Sequence, residues 1–125
     1  MQIGTLIKTK NVLVQFFTEK LTPKLSYKLM KFISKIETEE KFFNEKMREI
    51  IDKYGEKDEK GKLIPMDNGI KLKDGTAFEC NKEIAELESI EVEAPNITFT
   101  LDELSEIKLS VQDMFLLSEF IIENQ

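Results

Sequence analysis

The chain has 125 residues, 34% of them charged and 41% hydrophobic, with a formal charge of -6, the size and make-up of one folded, charge-rich, helix-prone domain. It has no histidine and a single cysteine, Cys80, which excludes a histidine-based triad, an intramolecular disulfide and a multi-cysteine zinc site and fits a reducing compartment. No stretch approaches the roughly 18 apolar residues of a membrane span, and the start MQIGTLIKTKNVLVQFFTEK lacks the apolar run and cleavage site of a signal peptide, so a cytoplasmic protein with no membrane partner is expected.

In chain order, Gln2 to Lys8 holds Ile3, Leu6 and Ile7 and reads as a short edge strand. Asn11 then caps a short helix through Val12, Leu13, Phe16 and Phe17. Thr22-Pro23 starts the next helix, since threonine caps and proline at the first helical position loses no needed hydrogen bond. Leu25, Leu29, Phe32 and Ile36 recur at steps of four and three, and Phe43, Met47, Ile50 and Tyr54 resume the pattern. Neither glycine nor proline interrupts Lys24 to Tyr54. One helix of that length would span roughly 45 Å and outrun a compact globule of this size. Between Ile36 and Phe43 the apolar seam falls on Glu39 and Glu40. Either a local register shift turns both outward, or one is buried and fixes pairing register.

Residues 54 to 75 follow with Gly55, Gly61, Pro65, Gly69 and Gly75. An EF-hand alignment with Gly61 in sixth place puts Lys60 in a ligand position and Asp67 in the last, which does not suit calcium. Asp67-Asn68-Gly69 is strong turn chemistry instead, so Lys62 to Met66 and Ile70 to Lys73 form a β-hairpin. Thr76 and Glu79 read as a capping box for a helix to Ser89, with Ala77, Cys80, Ile84 and Leu87 on one face and Cys80 buried as a structural thiol. Ile90, Val92 and Ala94, then Ile97, Phe99 and Leu101, alternate as short strands. Thr100 to Glu103 caps a single helical turn, and Ile107 and Leu109 extend the small sheet. Ser110 and Asp113 box a last helix from Met114 through Ile122, apolar on most sides.

The predicted fold is α+β and mostly α, a single domain over 1–125. A long antiparallel helical hairpin carries a β-hairpin at its tip, with a small β element and a C-terminal helix at its base. The density of Met114, Phe115, Ile121 and Ile122 predicts a homo-oligomer interface.

Charge is uneven. Residues 1–36 hold seven lysines against Glu19 alone, +6, so the remainder carries -12. Lys24, Lys28, Lys31 and Lys35 form one helical stripe, read either as a face that is solvated or pairs with the acidic C-terminal half, or as a site for the phosphates of a nucleotide or nucleic acid. The chain's acidity and the lack of arginine or an aromatic on that stripe argue against nucleic acid. Glu83, Glu86, Glu88, Glu91, Glu93, Asp102, Glu103 and Glu106 read as an acidic face or as a nucleic-acid mimic. The loop residues Tyr54, Lys57, Asp58, Lys60, Asp67 and Asn68 offer a partner-binding tip. No catalytic set, metal site or cofactor is called for.

The run IIDKYGEKDEKGKLIPMDNGIKLKD, the segment FECNKEIAEL and the ending TLDELSEIKLSVQDMFLLSEFI resemble a family of small uncharacterised proteins encoded by phages and prophages of low-GC Gram-positive bacteria. In that family a helix leads into Y-x-x-K-D-E-x-G, matched here by Tyr54, Lys57, Asp58, Glu59 and Gly61. A short helix follows a Ser-x-x-Asp start, here Ser110 and Asp113. The likeness begins at Ile50 and brings no catalytic residue with it. It implies a phage-encoded accessory protein made in the bacterial cytoplasm. The expected function is non-enzymatic binding that sequesters or inhibits a host factor, including a defence component. The alternatives are a virion structural or assembly subunit and a nucleotide sponge using the lysine stripe.

Overall fold

The computed structural model describes residues 1–67 and 69–123. Helices dominate it, with two small two-stranded sheets, so the class is α+β, mostly α. Among the described residues no helix is long and apolar enough to cross a membrane.

The N-terminus is helix, not strand: α1 runs Ile3–Val14. Ile3, Leu6, Ile7, Val12 and Leu13 are all buried, so apolar residues cover more than one face and the helix is enclosed on two sides. Only Gln2 keeps the expected extended pairing, bridging Glu91, while Ile3 N–H donates to Ile90 O at 2.8 Å. Asn11 lies inside α1 and caps nothing.

The predicted 24–54 rod is two helices. α2 spans Pro23–Lys35 and α3 spans Glu37–Tyr54, with Ile36 between them at φ -105 and ψ 4. Proline does take the first position of α2, but Thr22 does not cap it. Thr22 instead donates its hydroxyl (2.5 Å) and its N–H (2.8 Å) to the Glu106 carboxylate. Glu40 turns to an ion pair with Lys10 of α1, so the polar gap in the seam is neither fully outward nor an unpaired buried carboxylate.

The hairpin is shorter than predicted, β1 Pro65–Met66 against β2 Gly69–Ile70, antiparallel. It is anchored by the chain leaving α3, where Glu56 N–H donates to Lys71 O and Ile64 N–H to Glu56 O. Gly69 has φ +132, a conformation open to glycine in this turn. α4, Ala77–Glu88, packs on α3 and α1. Thr76 makes no capping box there; its hydroxyl donates to Lys73 O.

Beyond α4 the alternating segment is mostly irregular. Only β3, Phe99–Thr100, forms a strand, and it pairs in parallel with β4, Ile121–Ile122. Ile107 and Leu109 join no strand; Ile107 is buried in the core instead. Both remaining capping boxes form as read, Thr100 with Glu103 on α5 (Leu101–Leu104) and Ser110 with Asp113 on α6 (Val111–Leu117). The last helix stops early. It tightens through a 3-10 turn at Ser118–Phe120 and becomes β4, so Ile121 and Ile122 are extended rather than helical.

Two clusters make the core. One gathers Leu6, Leu13, Leu25, Leu29, Phe32, Ile36, Phe99, Leu117 and Phe120. Phe32 sits 4.9 Å, edge-on, from Phe120 and 6.1 Å from Phe99, the spacing at which aromatic pairs attract. The other gathers Ile3, Ile7, Phe43, Ile50, Cys80 and Leu87.

α1 approaches α4 most closely at Gly4, where an added Cβ would lie 2.8 Å from Glu88 Cβ and 3.1 Å from Glu88 O. Alanine there would improve helix propensity by about 1 kcal/mol, but overpacking against a neighbouring backbone costs about 1–3 kcal/mol. The clash wins, and Gly4→Ala is expected to lower the urea midpoint without changing the slope of the transition. An unchanged or raised midpoint would show that α4 yields freely.

Candidate functional site

The surface of α2 is organised by its buried stripe. Leu25, Leu29 and Phe32 face the core, so the residues one position earlier, Lys24, Lys28, Lys31 and Lys35, share a neighbouring stripe. The four do not act alike. Lys28 Nζ donates to Glu103 Oε1 at 2.7 Å and to Thr98 O at 2.8 Å, and lies 5.8 Å from the Phe99 ring centre. It is a strut between α2 and the 96–103 segment.

Lys31 lies over the Tyr27 ring at 5.7 Å. Tyr27, Lys28, Lys31 and Lys35 form one wall of a groove of about 310 Å³ whose other wall is Asn96, Ile97 and Thr98. Lys24 does not line it. Asn96 and Thr98 were not legible as site residues, because the two walls are some seventy positions apart in sequence, whereas Tyr27 on the lysine wall corrects the expectation that the stripe carries no aromatic. Tyr27 does carry a local signal, standing four residues before Lys31.

The Glu103 side chain is only 10% exposed. Burial opposes its ionisation, but the bonds from Lys28 and from Thr100 more than offset that and hold the carboxyl below its ordinary range. Its Oε1 takes both of those bonds, while Oε2 is buried without a partner.

On the other side of the α2 core stripe lies an apolar groove of about 430 Å³. Phe16, Phe17 and Leu21 meet Leu29, Met30 and Ile33 there, with Glu19, Ser26, Ser34 and Glu37 at its margins. Phe17 is 51% and Met30 54% exposed. The sequence reading missed this groove because Phe17 counted as part of a helix. The chain leaves α1 at Val14 and turns, presenting Phe17 beside α2.

At the tip, three of the six expected contact residues, Tyr54, Lys57 and Asp58, are occupied by the fold. Tyr54 hydroxyl donates to Glu83, which also accepts from Lys53 at 3.1 Å. That bond pushes the Tyr54 phenol up, and the same hydroxyl, with Lys53, holds the Glu83 carboxyl down. Lys57 pairs with Asp52 at 2.8 Å. Asp58 Oδ1 accepts from the N–H groups of Lys60 and Lys62, and this turn is closed by Gly61 at φ +77. The carboxylate of Asp58 thus builds a turn. Lys60 and Asp67 are exposed, and Asn68 lies outside the described residues. Cys80 is buried, and burial first, then Glu83, raises its thiol.

The C-terminal cluster divides. Leu117 and Phe120 enter the core, while Met114, Phe115 and Ile121 join Val111, Ser118 and Glu123 around an open surface of about 370 Å³. Phe115 is 76%, Val111 75% and Ile122 47% exposed.

No protein-family model, no curated protein and no solved structure matches the chain.

Glu103→Gln removes the charge but keeps an acceptor for the Thr100 N–H. Charge-assisted hydrogen bonds are worth about 1.5–3 kcal/mol, and the partial exposure of Lys28 reduces this to about 1–2 kcal/mol. The Glu103 carboxyl is depressed in the fold, so its contribution is complete above its ordinary value of 4.5 and is lost as the pH falls through the lowered native value. The gap in stability between wild type and Glu103→Gln should be full near neutral pH and close under acid, read by urea titrations across that range. A gap independent of pH would refute the ionic role.

Proposed function

We propose that the chain is a phage-encoded binding protein that acts in the bacterial cytoplasm by docking onto a host protein and blocking it. The observation that supports this most is the apolar groove between the end of α1 and α2. Phe17 and Met30 stand about half exposed in it on a chain that is otherwise 34% charged. Concave apolar surface of this kind on a small charged protein is unfavourable to leave wet and marks a contact site. Its dimensions suit a short amphipathic helix or loop from the partner, laid beside α2 with apolar anchors at one-turn intervals. Sequence resemblance supports the provenance, and the groove supports the docking mode.

The exposed α6 face supports self-association alongside docking. Val111, Phe115 and Ile122 would be covered by a second copy, and a virion assembly subunit would draw on the same face.

The two surfaces separate experimentally. A tagged chain used to capture proteins from infected cells should retain one host protein in stoichiometric amount. The Phe17→Asp/Met30→Asp variant should lose it with its circular dichroism unchanged, because exposed positions contribute within about 0.5 kcal/mol to stability. Recovery of the chain in purified particles, with no host protein held through this groove, would reject the reading in favour of a virion role. Phe115→Glu should leave capture intact and convert a concentration-dependent oligomer to a monomer in sedimentation. A wild type that stays monomeric at high concentration would exclude self-association.

A further inference from the structure

We propose that the groove between α2 and residues 96–98 binds a nucleotide, with the base stacked on Tyr27 and the phosphates held by Lys31 and Lys35. This goes beyond the docking reading and rests on a different surface.

The geometry is linear. Tyr27, Lys31 and Lys35 follow one another at steps of four along α2, so an aromatic ring and two cations stand in one row at intervals of about 6 Å. Tyr27 is 57% exposed, and its face is already reached by the Lys31 ammonium at 5.7 Å. A planar base takes the same face, and Lys31 then turns to a phosphate. Stacking on an open aromatic is tolerant of which base is offered.

Lys28 has a different part. Its charge is matched by Glu103, and its two bonds tie α2 to Thr98 O and to α5, so it holds the two walls at fixed separation. A preformed groove loses less entropy on binding than one that must close. Among the described residues neither Lys31 nor Lys35 is ion-paired. Both are therefore available to an anion. Asn96 and Thr98, both exposed on the opposite wall, offer a carboxamide and a hydroxyl to the sugar or to a phosphate oxygen.

Size decides between a nucleotide and a longer acidic chain. The groove holds about 310 Å³, at the lower end of small-molecule sites. Three contacts span only two helical turns. The chain's net charge of -6 also repels an extended polyanion, whereas a single diphosphate meets chiefly the local lysines.

The test is a nuclear magnetic resonance titration of the full chain with ADP and GDP to millimolar concentration, with adenosine and pyrophosphate as partial ligands. The nucleotides should shift the signals of Tyr27, Lys31, Lys35 and Asn96 and bind more tightly than either partial ligand. Tyr27→Ala, and separately Lys31→Ala/Lys35→Ala, should each weaken binding roughly tenfold. All three substituted residues are exposed, so these variants keep the fold. Phe17→Asp/Met30→Asp should bind ADP as wild type does, which separates this site from the docking groove. The proposal is overturned if neither nucleotide shifts these signals, or if the double lysine variant binds ADP unchanged. Pyrophosphate binding as tightly as ADP, with Tyr27→Ala without effect, would likewise remove the nucleotide assignment.

Discussion

A helix that is apolar on two sides has to be covered twice, and α1 imposes that condition on the whole chain. Ile3 and Ile7 enter the cluster with Phe43, Ile50, Cys80 and Leu87, while Leu6, Val12 and Leu13 enter the cluster around Phe32. Each fully buried side chain of this size gains about 1.5–3 kcal/mol from leaving water, so neither face of α1 can be left exposed without losing a large part of a typical domain's stability. Among the described residues Thr9 is the one buried polar residue, and its hydroxyl donates to Thr5 O at 2.9 Å. The two clusters are therefore joined through a shared helix.

That sharing explains the break at Ile36. α2 contributes Leu25, Leu29, Phe32 and Ile36 to one cluster, and α3 contributes Phe43 and Ile50 to the other. A straight helix would carry one stripe past one partner. Two clusters on two sides of α1 need the chain to change direction between them. The fault in the apolar pattern after Ile36 was visible in the sequence. Its resolution as a break was not, because no glycine or proline stands there and only the position of α1 decides it. Likewise Ile3, Leu6 and Ile7 already held helical spacing, but β-branched residues among lysines read equally well as an edge strand.

Local chemistry was legible wherever a side chain closes on its own backbone. Thr100 with Glu103, Ser110 with Asp113 and Pro23 at the start of α2 follow from rules that span four residues. Thr76 shows the limit of such rules: its hydroxyl is taken by Lys73 O, and the expected box does not close. Period-two alternation after Ile90 misled for a tertiary reason. Val92, Ala94 and Ile97 pack down on the first cluster from irregular chain, and a strand forms only at Phe99–Thr100, where Ile121–Ile122 arrives to pair with it. The end of the last helix is set by the same pairing. Of the candidate site residues, the lysines and a pairing with the acidic C-terminal half were legible, but the choice of Glu103 for Lys28 and the approach of Asn96 to Thr98 were not, since these reach α2 only through the fold.

α2 itself shows how one short helix can present three different faces. Successive residues are about 100° apart around a helix. The core stripe Leu25, Leu29, Phe32 and Ile36 is therefore flanked by Ser26, Met30, Ile33 and Glu37 on one side and by Lys24, Lys28, Lys31 and Lys35 on the other. The first flank meets Phe16 and Phe17 and becomes the apolar groove; the second meets residues 96–98 and becomes the basic one. Neither groove exists without a second wall, and both second walls are positioned by the aromatic contacts of Phe32 and by the burial of Phe16. The same packing that holds α2 in place thus keeps an apolar surface and a cationic surface about 160° apart on one helix.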